Sequence, residues 1–110
     1  DERQVILDPG FGFAKRAEHN WHLLAGLDQL LGLGRPVLVG TSRKRFLADA
    51  VTGRAAGDSG AGALDRDHAT AATSALAAAA GAWGVRVHDV APSADAVRVA
   101  ALLGRARERA

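Results

Sequence analysis

The chain has 110 residues, with 14 Lys and Arg against 12 Asp and Glu, and it contains no cysteine. This length predicts a single small domain, and the lack of cysteine excludes disulfide frameworks, thiolate metal sites and cysteine nucleophiles. The net charge of only +2 argues against a nucleic-acid-binding surface. No apolar run approaches the roughly 18 residues of a membrane span, so we expect a cytoplasmic protein.

Two short apolar runs and one segment of alternating apolar and polar residues predict strands. The segments that follow them have the spacing or the alanine content of helices. The strands are expected at residues 5–7, 36–40 and 85–90, and the helices at residues 17–33, 67–80 and 92–107. Residues 41–47 predict a hydroxyl-bearing turn that could run into a short helix. Residues 52–62 contain four glycines and predict a loop.

The resulting order, β-α-β-α-β-α, favours a parallel sheet with helices packed against it. Three strands leave two unpaired edges and an inner face without a partner. The sequence therefore indicates a piece of a larger α/β assembly. As an isolated chain, such a piece is expected to be marginally stable or to self-associate.

Ligands of parallel α/β proteins bind at the carboxyl ends of the strands, and the sequence has polar residues at that end of all three predicted strands. Arg86 and His88 share one face of the third strand because side chains alternate with a period of two. Two bases on a buried strand require an anion or a salt bridge, for instance to Asp89 or Asp95. Both alternatives are open at this point.

The other two strand ends also carry candidate binding residues. Asp8 could accept two hydrogen bonds from the edge of a planar ring, or it could cap the turn. Residues 10–13, Gly-Phe-Gly-Phe, suit either a loop over a planar ligand or a loop packed on the core. Residues 42–45 combine a hydroxyl with three cationic side chains, which could receive an anion or form a solvated basic turn. The four histidines show no metal-ligand spacing with carboxylates: His19, His22, His68 and His88.

Four segments together resemble the C-terminal part of the dihydropteroate synthase family. They are residues 8–15 (DPGFGFAK), the pair His19-Asn20, residues 40–47 (GTSRKRFL) and residues 84–90 (GVRVHDV). The resemblance implies an eight-stranded (β/α)8 TIM barrel of about 250 residues or more. The present chain would supply its last three strand–helix units and would be incomplete as a barrel on its own.

The resemblance also implies an activity, in which 6-hydroxymethyl-7,8-dihydropterin diphosphate and 4-aminobenzoate give 7,8-dihydropteroate and diphosphate. Asp8 would bind the pterin, and Lys44 would contact the pterin near the aminobenzoate. Arg86 and His88 would bind the leaving diphosphate. Gly12 and Phe13 would line the passage between the substrates, where sulfonamides compete. The implied catalytic residues are Lys44, Arg86 and His88.

The family comparison implies partners beyond the substrates. Mg²⁺ is expected with the diphosphate, held mainly by phosphate oxygens, and the N-terminal half of the barrel must complete the site. The complete protein is expected to be a homodimer. Arg45 stands where many family members have serine, and it is included among the substrate-binding residues. The alternatives are a pterin- or folate-binding barrel of the methyltransferase type and a non-catalytic remnant.

Overall fold

The structure is a computed structural model, and it describes residues 2–11, 17–50 and 66–109. The predicted loop at residues 52–62 lies outside this part of the chain. The described elements, in chain order, are a 3-10 helix (Glu2–Gln4), α1 (Ala17–Ala25), α2 (Leu27–Leu31), β1 (Leu38–Val39), a second 3-10 helix (Arg45–Ala50), α3 (Asp67–Ala80), β2 (Gly84–Val85) and α4 (Val90–Arg109).

Three chain segments run parallel at the centre of the fold, with β1 in the middle. On one side β1 pairs with β2, and on the other side Val37 forms a parallel bridge with Leu7. The Leu38 N–H donates to the Leu7 carbonyl at 2.8 Å, and the Arg86 N–H donates to the Val39 carbonyl at 2.9 Å. The parallel pairing that the alternating pattern predicts is therefore present.

The paired segments are shorter than the sequence predicts. Residues 5–7 contribute only the bridge at Leu7, and the strands predicted at residues 36–40 and 85–90 narrow to β1 and β2. Pairing stops on the β2 side because the neighbouring chain turns away at Gly40 towards the second 3-10 helix. Within the described residues, the outer side of residues 5–7 has no neighbouring strand to extend the ladder.

The prediction of a single helix over residues 17–33 is wrong, because this segment forms two helices, α1 and α2, that are separated at Gly26. Gly26 has φ −92° and ψ 17°, which lies outside the α-helical range. Glycine makes this departure at little steric cost. The break turns Leu27 into the core, where only 3% of its surface is exposed.

Helix α3 has the predicted bounds, and α4 is longer than predicted. Gly81 ends α3 with φ 108°, the left-handed geometry expected of a glycine cap. Helix α4 begins at Val90 and so contains Pro92 in its first turn, which is tolerated because N–H groups there have no intrahelical acceptor. Among the described residues, no helix is both long enough and apolar enough to cross a membrane.

The hydrophobic core joins the central strands to the surrounding helices. The Phe11 ring stacks on Phe46 with a centroid distance of 6.0 Å, and Trp21 meets Phe46 edge-on at 4.9 Å. Phe11 therefore packs on the core, which decides between the two alternatives at this residue. The buried cluster consists of Phe11, Leu27, Val37, Val39, Phe46, Leu47 and Ala77.

Candidate active site

A cleft of about 390 Å³ opens at the carboxyl ends of β1 and β2. Three of the predicted site residues, Lys44, Arg86 and His88, line it together, although they lie on separate parts of the chain. Such clefts at strand ends are the usual ligand sites of parallel α/β folds. The full lining consists of Gly40, Ser42, Lys44, Arg86, Val87 and His88.

Arg86 forms an ion pair with Asp8 across the central strand. Its Nη1 atom donates to Asp8 Oδ2 at 2.8 Å, and the two side chains are 54% and 41% exposed. Of the two alternatives left open by the sequence, the structure shows a salt bridge at Arg86, but the suggested partners Asp89 and Asp95 are wrong. Asp95 instead accepts from Arg98 on the same helix. The physical reason is the parallel pairing, which brings the carboxyl ends of the outer segments to the same edge.

Gly40 leaves the space through which Arg86 reaches Asp8. A Cβ atom built on Gly40 would lie 2.8 Å from Arg86 Cζ and closer still to Nη2, both of them impossible contacts. Any larger residue at position 40 would displace the guanidinium from its place over β1. The glycine at the end of β1 is thus part of the site.

Ser42 fixes His88 through two hydrogen bonds. The His88 backbone N–H donates to Ser42 Oγ at 2.9 Å, and the same oxygen lies 2.6 Å from His88 Nδ1. Ser42 is almost fully buried, so the imidazole is held on a rigid support. His88 lies in a turn beyond β2 rather than on the strand that the sequence predicts.

Arg43 does not line the cleft, so of the three cations of residues 42–45 that could receive an anion, only Lys44 faces it. The Arg43 guanidinium donates to Asp67 through Nε at 2.8 Å and Nη2 at 3.0 Å. The Arg43 N–H donates to Thr70 Oγ1, and the Arg43 carbonyl accepts from Arg66 Nε. Arg43 has φ 58°, a left-handed backbone that no other non-glycine residue adopts in the described ranges.

The pairing of Arg43 with Asp67 changes the acidity of both groups. Hydrogen bonds from the Arg43 guanidinium hold the pKa of the Asp67 carboxyl below its usual value against the opposing effect of burial, and the positive charge of Arg43 acts in the same direction. The same hydrogen bonds raise the pKa of Arg43. Both groups therefore stay ionised at neutral pH.

A row of hydroxyl groups ties the end of β1 to α3. Thr73 donates to the Thr70 carbonyl at 2.7 Å, so its oxygen accepts from Thr41, with 2.6 Å between the two hydroxyls. All three threonines are buried. Neither this network nor the role of Asp67 can be predicted from the sequence, because residues 24 to 32 positions apart carry no local signal of their contact.

The remaining candidate residues are less closely grouped. Arg45 is exposed at the start of the second 3-10 helix and does not line the cleft. Gly12 and Phe13 lie outside the described residues. In the described part of the chain, no three His, Asp or Glu side chains are grouped so that they could hold a metal ion.

Residues 1–88 match the family model described as pterin binding enzyme. That match covers both β1 and β2 and every residue that lines the cleft. The chain belongs to this family. Helix α4 extends beyond the matched region.

The chain is similar to dihydropteroate synthases in both sequence and structure. The enzyme of Mycobacterium leprae is 51% identical over 100 residues, which cover 90% of this chain and 34% of that protein. The chain thus spans about a third of this relative's length.

Two solved structures of the Xanthomonas albilineans dihydropteroate synthase share the fold. The complex with 7,8-dihydropteroate has a TM-score of 0.81 at 42% identity, covering 94% of this chain and 38% of that one. The complex with 4-aminobenzoic acid has a TM-score of 0.81 at 39% identity, covering 94% and 36%. The chain therefore has the fold of one piece of a dihydropteroate synthase barrel.

Proposed function

We propose that this chain supplies the last three strand–helix units of a dihydropteroate synthase barrel. The observation that carries the proposal is the cleft in which Lys44, Arg86 and His88 meet at the carboxyl ends of parallel strands. This is the end of a barrel at which substrates bind. The relatives named dihydropteroate synthase support the choice of reaction.

The proposed reaction breaks the bond between the methylene carbon of a dihydropterin and its diphosphate. The bonding electrons leave with the diphosphate, and the dihydropterin ring delocalises the positive charge that develops at the methylene. The amine of 4-aminobenzoate then forms a C–N bond and loses a proton. Such a reaction needs stabilisation of a leaving anion rather than a protein nucleophile.

The residues of the cleft suit this task. Arg86 and His88 bind the leaving diphosphate, and Lys44 holds the pterin beside the incoming aminobenzoate. When Ser42 donates to His88 Nδ1, the ring proton resides on Nε2, which is then a donor towards the cleft. Asp8 accepts hydrogen bonds from the pterin, and its ion pair holds the Arg86 guanidinium beside it.

Mg²⁺ belongs to the proposal only as a companion of the substrate. The described residues offer no cluster of ligands for a protein-held ion, and phosphate oxygens commonly hold Mg²⁺ in diphosphate sites. On the protein's side, Arg86 and His88 stabilise the leaving charge through a cation and an N–H donor. The complete site also requires the other strands of the barrel, and we propose that the complete protein is a homodimer.

A hybrid enzyme tests this function. In the hybrid, the present chain replaces the segment of the Mycobacterium leprae synthase to which it is 51% identical. We expect the purified hybrid to convert dihydropterin diphosphate and 4-aminobenzoate to dihydropteroate and diphosphate. We also expect it to support growth of a bacterium that lacks its own synthase.

Two substitutions test the assigned residues in the hybrid. Lys44→Ala and Arg86→Ala should each lower kcat/KM by about 10²-fold or more, because each removes a cation that stabilises the transition state. Arg107→Ala, on the exposed end of α4, removes the same charge and should leave turnover unchanged. Near-normal turnover of either cleft variant would refute the assignment. Pterin binding without any competition from diphosphate would favour a methyltransferase-type domain instead.

A further inference from the structure

The turn of residues 42–44 carries two side chains of the proposed site, yet its central residue faces away from the cleft. Ser42 contacts His88 and Lys44 lines the cleft, whereas Arg43 contacts the first turn of α3. A left-handed backbone is unfavourable for a side chain such as arginine. Non-glycine residues keep such a conformation only where their surroundings impose it.

Three sets of contacts hold Arg43 in this left-handed conformation. The Asp67 carboxylate binds the Arg43 guanidinium with both oxygens, a geometry that fixes the plane as well as the position of the group. The Thr70 hydroxyl accepts from the Arg43 N–H at 3.1 Å, and Arg66 Nε donates to its carbonyl at 3.0 Å. Side chain, amide and carbonyl of one residue are therefore all bound by one segment.

This arrangement links α3 to the cleft. Because Arg43 is fixed at both backbone ends, the directions of its two neighbours are fixed as well. The Ser42 hydroxyl oxygen Oγ is thereby held 2.6 Å from His88 Nδ1. If the carboxylate released the guanidinium, Arg43 could relax to an ordinary backbone conformation, and the turn would rotate Ser42 and Lys44 out of place.

We propose that Asp67 and Arg43 form a positioning pair that holds Ser42, His88 and Lys44 in their catalytic arrangement. The pair touches no substrate, and it acts through the backbone of the turn. Its effect on turnover rests on the proposed function, whereas its effect on the geometry of the turn does not. The two can therefore be tested separately.

The activity test uses the hybrid enzyme with Asp67→Asn. This change keeps the size of the side chain but removes its charge, and it weakens the paired hydrogen bonds. We expect kcat/KM to fall by about 10²-fold, the size of loss that a displacement of about 1 Å causes. Arg43→Lys should lose nearly as much, because an ammonium group cannot form the bidentate contact.

A matched control comes from α4. Asp95 also accepts from an arginine, Arg98 Nη1 at 2.9 Å, but this pair is exposed on the outer helix. Asp95→Asn should leave kcat/KM unchanged. An equal loss in both aspartate variants, or no loss in Asp67→Asn, would overturn the proposal.

A double-mutant cycle separates positioning from a merely structural role. If Asp67 acts through Ser42, then Ser42→Ala and Asp67→Asn together should lower kcat/KM by clearly less than the product of their separate losses, because only the part of the Asp67→Asn loss that runs through Lys44 is added. All rates are normalised to the folded fraction and measured well below the unfolding transition. Multiplicative losses in the double variant would show that Asp67 acts elsewhere, and would overturn the proposal.

A crystal structure of the Asp67→Asn hybrid tests the geometry regardless of activity. We expect Arg43 to leave the left-handed region and the distance from Ser42 Oγ to His88 Nδ1 to exceed the hydrogen-bond range of roughly 3.2 Å. A retained bond and a retained left-handed Arg43 would overturn the positioning pair. An inactive hybrid without substitutions would instead overturn the proposed function, and the crystal structure would still decide the pair.

Discussion

The position of the Arg86 guanidinium depends on two residues, one of opposite charge and one without a side chain. Asp8 accepts its hydrogen bond, and Gly40 leaves the path over β1 open. The exposed ion pair itself adds little to the free energy of folding. Its consequence is geometric, because it places the guanidinium over the end of the central strand, at the mouth of the cleft.

Gly40→Ala should disable the site without disturbing the core. The added Cβ would meet Arg86 Cζ at 2.8 Å, so the guanidinium must move, and we expect kcat/KM of the hybrid to fall by about 10²-fold. Gly104→Ala is the control, because a Cβ there has no neighbour within 4 Å. It should leave kcat/KM unaltered and stabilise α4 by about 1 kcal/mol. Equal kcat/KM in the two variants would contradict this assignment to Gly40.

At the scale of elements, α3 carries more of the site than its composition suggests. Its alanine-rich sequence predicts a plain packing helix, and its bounds agree with that prediction. Its first turn nevertheless carries the Asp67 carboxylate and the Thr70 hydroxyl that hold Arg43. The helix therefore anchors the turn after β1 as well as covering the sheet.

The ion pair between α3 and the turn should make stability depend on pH in the acid range. The pKa of Asp67 is lowered on folding, so its contribution to stability is complete above the unfolded value of about 3.9. It is lost as the pH falls through the lower value of the folded chain. We expect the difference in free energy of unfolding between the unsubstituted hybrid and Asp67→Asn to shrink from pH 7 towards about pH 2. Urea unfolding at several pH values measures it, and a constant difference would refute the prediction.

At the scale of the molecule, the chain leaves apolar surface uncovered. The outer part of α4 exposes large side chains, and so does the segment before Leu7. They include Val5, Ile6, Val90, Val99, Leu102 and Leu103. The chain spans only about a third of its Mycobacterium leprae relative, and under the proposed function the other strands and helices of the barrel would cover this surface.

The isolated chain should consequently self-associate or unfold easily. The exposed apolar side chains of residues 5–6 and of α4 favour contact between copies, and association makes apparent stability depend on concentration. Sedimentation velocity and urea unfolding at several concentrations measure this. A monomer with a sharp unfolding transition that is independent of concentration would contradict the prediction.

The sequence by itself determined the alternation of strands and helices, the limits of α3, and the grouping of Arg86 with His88. These follow from local rules, since periodicity, alanine content and a terminal glycine act over a few residues. The four short segments also pointed to the family, to which the match over residues 1–88 assigns the chain.

Only the tertiary structure decided which charges meet. Arg86 pairs with Asp8, 78 positions away, and Arg43 pairs with Asp67 rather than with the cleft. Partners so far apart are brought together by the parallel register of the segments and by the packing of α3, and neither leaves a trace in local spacing. Strand length was decided in the same way, because hydrogen-bonded pairing ends where the neighbouring chain turns away.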